Sequence, residues 1–535
     1  MKKLKTAIIL DNMFLSKWQL TALKEAMTLV EVKVVLSCQN TKTKKRIIKN
    51  FFYYLLNFFT LKNDLTKKVP FDLSGSFEVL SFDSNYQGVW QSIPSEVLQK
   101  QSMQDIDVII KFGMSLLRVE GSLTKVPVLS YHHGDPSKYR GRPAGFYEIL
   151  SGEDKCGVIV QNLTNKLDAG EIYAFAEAKV VNFSYKKTAL SFYSISPFLL
   201  KKAILNLSEN TPVKRSKKGK NYTLPSNLKV VLFLTKLLIN LVRKLFYGLF
   251  YEKRWKVAIS DQDIKFNADN LLKEKYFRTF SIAPKYNFYA DPFFSQDFDK
   301  IRLEALGNDS GLGDIVEFDF DTPEQLKTLF TGNHYSYPYS FEKDGEECIL
   351  PEVASHSNQY FCKISSDENG KVILNKQFYL KGLENKRIVD GTLLQYENHW
   401  YLFFGESSDA HSVLHLWCAN SLEDVFVPHP KSPVCLSPSF ARMGGRIVCN
   451  ENGLYRFGQN NSKGYGESIT ISKISCLSPE KYREQICGAV FIDHKKGPHT
   501  IDLDPIHKRV LIDYYQDKFS IFSGVRRLKA KLSRK

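Results

Sequence analysis

Two histidines stand side by side in the run HHGDPSKYRGRP, residues 132–143, and a carboxylate, Asp168, follows His132 by 36 residues. An imidazole titrates near neutral pH, and a carboxylate beside it can orient the ring and favour its charged form, so the two types together can move a proton. The spacing suits neighbouring strand ends of an α/β unit, and it equally suits a structural pair. Arg140 and Arg142 flank a glycine; they could grip a phosphate or carboxylate bidentately, or bridge acids within their own loop. Asp135-Pro136-Ser137 reads as a turn. His133 is open between capping that turn and meeting a substrate.

The elements that must position these groups are strands alternating with helices. Thr6–Leu10, Glu31–Leu36, Ile106–Phe112, Pro127–Ser130 and Val158–Gln161 read as strands, and Trp18–Leu29 and Ala189–Leu205 as amphipathic helices. Such alternation predicts a parallel or mixed α/β sheet. Ligands bind beyond the carboxyl ends of strands in these sheets, and the histidine cluster directly follows the strand at 127–130.

Four ordered motifs carry a resemblance over roughly residues 1–190. They are Ser130-Tyr131-His132 with Tyr139-Arg140-Gly141-Arg142-Pro143, then Gly152-Glu153 with Gly157-Val158, then Leu167-Asp168-Ala169-Gly170-Glu171, all preceded by the segment Asp105–Leu117. Together they resemble the formyltransferases that use 10-formyltetrahydrofolate. The resemblance implies an α/β Rossmann-like formyltransferase domain, with His132, Asp168 and Ser130 at the catalytic centre and Phe112, Gly113 and Gly170 at the folate pocket. It implies that His132 stabilises the oxyanion and assists proton transfer while Asp168 orients it. The family carries Asn where this chain has Ser130. A hydroxyl donates one hydrogen bond and lacks the amide fork, and losing such a donor costs about 2.7–4 kcal/mol of barrier. Ser130, His133 or a water must fill the role, or the site is slow or inactive. His133, Arg140 and Arg142 are the candidate acceptor contacts.

From about residue 257 the texture changes to short strands, aromatics and turns. FYADPFF (288–294), SYPYSFEKDGEECILPEV (336–353), IVDGTLLQYENHWYLFFGES (388–407), ARMGGRIVCNENGLYRFGQN (441–460) and GPHTIDLDPIHKRVLIDYY (497–515) recur about every fifty residues. Five antiparallel units predict an all-β five-bladed propeller. The pattern resembles glycoside-hydrolase propellers and, more closely, the N-terminal domain of plant glucosamine inositolphosphorylceramide transferases. That implies Asp291, Glu352, Asp390 and Arg442 as glycan contacts facing the central cavity. Arg442 and Arg446 stand where a hydrolase would need an acid, which speaks against hydrolysis. No metal is expected, since His334 and His499 read as single histidines.

The formal charge is +17, and it is concentrated. Residues 201–256 hold fourteen Lys/Arg against Glu209 and Glu252, including the run Lys214, Arg215, Lys217, Lys218 and Lys220; residues 523–535 add six more with no acid. The remainder is near neutral, which disfavours a nucleic-acid partner. The segment 228–250 is strongly apolar with Lys229, Lys236 and Arg243 every seven residues. That pattern fits a helix lying on an anionic membrane, or one packed between two domains, and not a span. Nine cysteines without a C-x-x-C pair point to a reducing compartment, and the short apolar run 7–10 reads as a first strand rather than a leader. The expected organisation is therefore 1–205 formyltransferase-like, 206–256 basic linker and helix, 257–522 propeller, and 523–535 basic tail. The expected protein is cytoplasmic, peripheral on the inner membrane face, and formylates an amino group of a sugar nucleotide or surface glycan held by the propeller. The alternative is a carbohydrate-binding or carbohydrate-active propeller on a degenerate formyltransferase scaffold. Methionyl-tRNA formylation is disfavoured because that branch carries a small β-barrel, not a propeller.

Overall fold

The computed structural model describes residues 2–40, 48–72, 75–213, 218–366 and 372–533. Lys214, Arg215 and Lys217 of the basic run lie outside the described residues. The chain divides into two compact units, Met1–Val242 and Arg243–Lys535.

The first unit is built on strands β1 (Leu4–Asp11), β2 (Val30–Cys38), β3 (Glu78–Phe82), β4 (Val108–Lys111), β5 (Val128–His133), β6 (Lys155–Asn162) and β7 (Ile172–Lys179). Across the sheet they run β7-β6-β5-β4-β1-β2-β3, parallel from β5 to β3, with β6 and β7 antiparallel. The central strands are near-continuous Val/Ile/Leu because both of their faces are covered; Ala7, Ile9, Val34, Leu36, Ile109 and Val128 share one apolar cluster. Between β1 and β2, helix α1 (Lys17–Ala26) ends three residues before the expected Leu29. Leu29 is drawn into the strand entry, where its carbonyl accepts from Leu4 N at 2.9 Å. The helix expected over Ala189–Leu205 is two helices, α2 (Tyr185–Ile195) and α3 (Pro197–Ser208). Pro197 has no N–H to continue the first ladder but starts the second readily.

The segment expected as a linker is incorporated on both sides. Lys220–Tyr222 pairs in parallel with Tyr139–Gly141, and Tyr251–Ser260 is a strand of the second unit. Between them runs α4 (Asn227–Phe250). Its first part buries Val230 and Phe233 in the N-terminal unit, where the Phe233 ring stacks on Phe146 at 4.1 Å. Lys236 Nζ donates to Leu150 O and Asn240 Nδ2 to Asn182 O, both at 3.0 Å. Lys236 and Asn240 thus face protein, while Leu228, Leu232, Leu238, Ile239 and Val242 are exposed, as are Lys229 and Arg243. No helix among the described residues is long and apolar enough to cross a membrane.

The second unit is a five-bladed β-propeller. Three blades are consecutive sheets over 286–330, 335–379 and 388–436; the fourth joins 269–272 to four strands within 448–492. The fifth pairs the early strand Tyr251–Ser260 with Arg509–Phe519, register Tyr251↔Phe519 to Ser260↔Val510, and so closes the ring. The hairpin turns Asp344-Gly345 and Glu397-Asn398 have positive φ at both central residues, and Asn452-Gly453 only at the glycine, the first pattern being the one two-residue hairpin loops favour. The basic C-terminus forms a helix over Ser523–Ser533, anchored by Arg526 on Glu252 at 2.8 Å and by Arg527 on Gly248 O at 2.6 Å.

Phe233→Ala removes a fully buried ring and is expected to cost the N-terminal unit about 3–5 kcal/mol. Chemical denaturation of the full chain should show an earlier first transition, with the transition of the propeller unmoved.

Candidate functional site

The carboxyl ends of β4 and β5 open onto a cavity of about 900 Å³ in the N-terminal unit. Register pairing puts Lys111 of β4 opposite Ser130 of β5, and Ser130 opposite Gln161 of β6. Cross-strand partners share a face and alternate residues return to it, so His132 emerges beside this row. Asp168 reaches it from the loop between β6 and β7, because the antiparallel return of β7 folds that loop back over the sheet end. All five residues line the cavity.

His132 Nδ1 lies 3.4 Å from Asp168 Oδ1, with both side chains about one-tenth exposed. Asp168 is held from three sides: Gly141 N donates to Oδ2 at 2.8 Å, Gln161 Nε2 donates to Oδ1 at 3.3 Å, and His132 supplies the third contact. Its φ of +45° is left-handed, a region that aspartate enters more readily than most residues but at some cost, which the contacts here offset. His132 Nε2 is 3.4 Å from Tyr139 O. Gly134 packs against the same ring; a Cβ there would stand 2.7 Å from Nε2.

Not every expected residue lines the cavity. Phe112, Gly113 and Gly170 lie beside the lining and not in it. The Phe112 ring packs on Trp18 and Tyr131. Gly113 lets the chain pass Asp11, whose Oδ1 would be 2.7 Å from a Cβ, and at Gly170 a Cβ would collide with Asn162 O. Ser115, Leu116, Leu117 and Leu163 line the cavity there. Arg142 lines the main cavity, whereas Arg140 lies against a smaller one with Glu148 and has a buried, unpartnered Nε. Asp135 makes the expected turn, accepting from Ser137 N at 2.9 Å and Ser137 Oγ at 2.7 Å.

His133 caps nothing. Its Nε2 meets Ser196 Oγ at 2.9 Å, and that hydroxyl already donates to Phe192 O, so His133 is the donor. Burial among Trp18, Phe192 and Tyr193, reinforced by the charge of His132, pushes its pKa down to about 3. The ring is neutral and its N–H is engaged. Sequence reasoning missed Lys111 and Gln161; the available signal was a lysine closing the otherwise apolar strand Val108–Lys111.

In the propeller, Glu352, Asp390 and Arg442 join one buried network, and Asp291 sits in another with Thr500 and His499. Arg442 forks onto Asp390, through Nε and through Nη2 at 3.2 Å, and Gln459 Nε2 donates to Asp390 at 3.0 Å. Glu352 Oε2 accepts from Asp390 N at 2.9 Å. Asp390 is 1 % exposed and Asp291 5 %. These two aspartates therefore hold Arg442 and His499 in place, and direct ligand contact does not fit their burial. Burial first, then the Asp390 charge, pushes Glu352 up to about 8. Arg446 is structural as well, joining Asp502 at 3.1 Å to Ser340 O at 2.8 Å.

His499, read as a lone histidine, lies between Asp291, 3.0 Å from Nε2, and Asp513 at Nδ1. Burial disfavours its charged form, but the two carboxylates outweigh that and raise it to about 10. The same three ligand atoms lie within 4.8 Å of one another and are the one such group among the described residues that could hold a cation. With a carboxylate beside each ring nitrogen, the cluster is an ion triplet of net charge −1 when His499 is protonated. The raised pKa stabilises the folded propeller fully below the ordinary histidine value of about 6.5, and this contribution is lost as pH rises through about 10. In thermal unfolding, the gap between wild type and His499→Gln should be widest below pH 6.5 and shrink steadily toward pH 10.

The N-terminal unit thus has a formyltransferase-like α/β fold with a His–Asp pair at its sheet end, joined to a five-bladed propeller. Residues 283–510 match the family model described as glucosamine inositolphosphorylceramide transferase 1, N-terminal. Glucosamine inositolphosphorylceramide transferase 1 of Oryza sativa subsp. japonica is 30% identical over 224 residues, covering 39% of this chain and 29% of that protein. Methionyl-tRNA formyltransferase of Sulfurihydrogenibium sp. (strain YO3AOP1) is 30% identical over 87 residues, 16% of this chain and 28% of that one. The chain spans under a third of the length of these curated relatives. A solved N-formyltransferase from Helicobacter canadensis, in complex with folinic acid and dTDP-3-aminofucose, aligns at 13% identity and a TM-score of 0.27, covering 53% of this chain and 94% of that one. This last likeness is too slight to carry an argument.

Proposed function

We propose that this protein transfers a formyl group from 10-formyltetrahydrofolate to the amino group of a sugar, in a sugar nucleotide or a surface-glycan intermediate, and that the propeller binds the glycan. The observation that carries this reading is the His132–Asp168 pair on the floor of a roughly 900 Å³ cavity. That volume lies in the range of small-molecule sites. The cavity also fits the donor chemically: Leu116, Leu117 and Leu163 offer an apolar wall for a flat ring, and Arg142, Lys49 and Lys166 offer cations for a carboxylate tail. When bound, the donor supplies an activated formyl carbon. Asp168 meets His132 at Nδ1 and orients the ring, and the imidazole takes the proton of the attacking amine and returns it to the departing nitrogen. Ser130 contributes one hydroxyl donor. The rice relative is named for glucosamine transfer to inositolphosphorylceramide; glucosamine carries a primary amine, which supports an amino sugar as the class of acceptor.

Thermal-shift titration of the full chain with 5-formyltetrahydrofolate should show a saturable rise. At a hundredfold excess over Kd the stabilisation is about 2.7 kcal/mol, or roughly 2–4 °C. His132→Ala should lower formyl transfer to amino sugars by about 10²–10⁴-fold, and Asp168→Ala should act in the same direction. No shift at millimolar ligand overturns the reading. Ser130 in place of the expected Asn favours a second one, a carbohydrate-binding propeller on an inactive scaffold. It would show glycan binding with no formyl transfer in either wild type or Ser130→Asn.

We further propose that the protein rests on the inner face of an anionic membrane. The support is the exposed Leu/Ile/Val/Phe stripe of α4, continued by Leu245, Phe246 and Leu249, with the neighbouring basic residues drawn to anionic headgroups. The nine free cysteines suit a reducing compartment. Leu238→Asp with Leu245→Asp should release the protein from phosphatidylserine vesicles in a sedimentation assay. Unchanged sedimentation would remove the membrane claim.

A further inference from the structure

The deficit at Ser130 has a structural counterpart one strand away. Lys111 is the register partner of Ser130, and its side chain emerges on the face that also carries Gln161 and His132. It is the one cation in that row and it lines the cavity. Its Nζ has three N–H donors, and it reaches Ser115 O only at 3.5 Å, the outer limit for a hydrogen bond. A lysine among apolar strand residues is costly unless charge or chemistry compensates. Ile109 and Ile110, immediately before it, are 1 % exposed.

We propose that Lys111 is a catalytic residue of the formyl transfer, its ammonium donating to the formyl oxygen and holding the negative charge that gathers there, in place of the amide that Ser130 does not provide. The proposal rests on the folate-dependent reading above. His133 cannot do this work, being neutral with its N–H on Ser196. The amine nitrogen forms the new C–N bond and gives one proton to His132. The C–N bond to the donor breaks, and His132 returns that proton to the departing nitrogen. Lys111 takes up no proton and carries only the charge on oxygen in between.

The surroundings set the pH range. Burial lowers the Lys111 ammonium, while Asp11 at the end of β1 and Asp168 on the β6–β7 loop raise it, leaving it at about 8. His132 shares its face of the sheet, and Lys49, Arg142 and Lys166 line the same cavity. Lys111 is therefore charged at neutral pH and loses its charge just above.

The test uses the full chain with Lys111→Met and Lys111→Arg. Calorimetric titration with 5-formyltetrahydrofolate at pH 7 should give about tenfold weaker binding for Lys111→Met, and this gap should close above about pH 8 as wild type loses its charge. Turnover should fall by about 10²–10³-fold in kcat with KM for the donor raised by about the same tenfold as its affinity, the alkaline fall in wild-type kcat should be absent, and Lys111→Arg should recover part of the rate. Equal affinity at pH 7 with kcat within about threefold of wild type overturns the role of Lys111 and leaves the folate reading standing. Wild type that binds no analogue overturns the folate reading and this proposal together. Should Lys111→Met not fold, a Lys111→Arg variant with wild-type kcat and an unshifted alkaline limb overturns the proposal.

Discussion

The 2.8 Å hydrogen bond from Gly141 N to Asp168 Oδ2 ties together the parts of the N-terminal site. Gly141 belongs to the short strand that pairs with Lys220–Tyr222, and Asp168 to the loop that β7 turns back over the sheet. Between them stands His132. Backbone in the left-handed region is costly for an aspartate, and it persists here because the Gly141 amide and the Gln161 side chain over-determine it. A carboxylate held by donors from two other segments has little freedom to follow solvent. It can therefore present one oxygen to the imidazole without reorganising, which is the condition under which a fixed charge helps a proton move.

How much of this was legible in the sequence depended on whether the information was local. The histidine, the Arg-Gly-Arg turn and the Asp-Ala-Gly loop lie in short runs whose turn chemistry is written in adjacent residues, so their order revealed the sheet end they surround. The propeller was legible for the same reason, through Asp344-Gly345, Glu397-Asn398 and the recurring strand starts. What escaped was pairing across strands. Lys111 and Gln161 gain meaning only when register sets them on either side of Ser130, and no spacing along the chain announces that. Phe112 and Gly113 follow the end of the strand, where Phe112 packs on Trp18 and Tyr131 and Gly113 passes close to Asp11. The spacing of polar residues along α4 left open whether they meet a membrane or protein, and only the fold shows Lys236 and Asn240 capping carbonyls of the first unit.

The propeller shows how a ring of blades tolerates buried charge. Asp291, Tyr337 and Asp390 each adopt positive φ where the first strand of a blade shifts register. The bulge turns the side chain away from the sheet face, and the two aspartates meet cations from other blades, His499 and Arg442. Opposite charges supplied by separate blades make the blades mutually dependent. Removing one partner would leave an uncompensated charge in the interior, a change that costs far more than the pair contributes.

The closure of the ring by Tyr251–Ser260 against Arg509–Phe519 also orders events in time. A ribosome delivers the N-terminal sheet complete, with β7 and the helices after it, before most propeller strands exist. The strand that must begin the last blade emerges next and then waits, edge unpaired, for some 250 residues of further synthesis. During that interval it presents a free row of amide and carbonyl groups. Birth of this protein is thus staged, an early half whose sheet is complete first and a late half that becomes a closed body only when its final strand arrives.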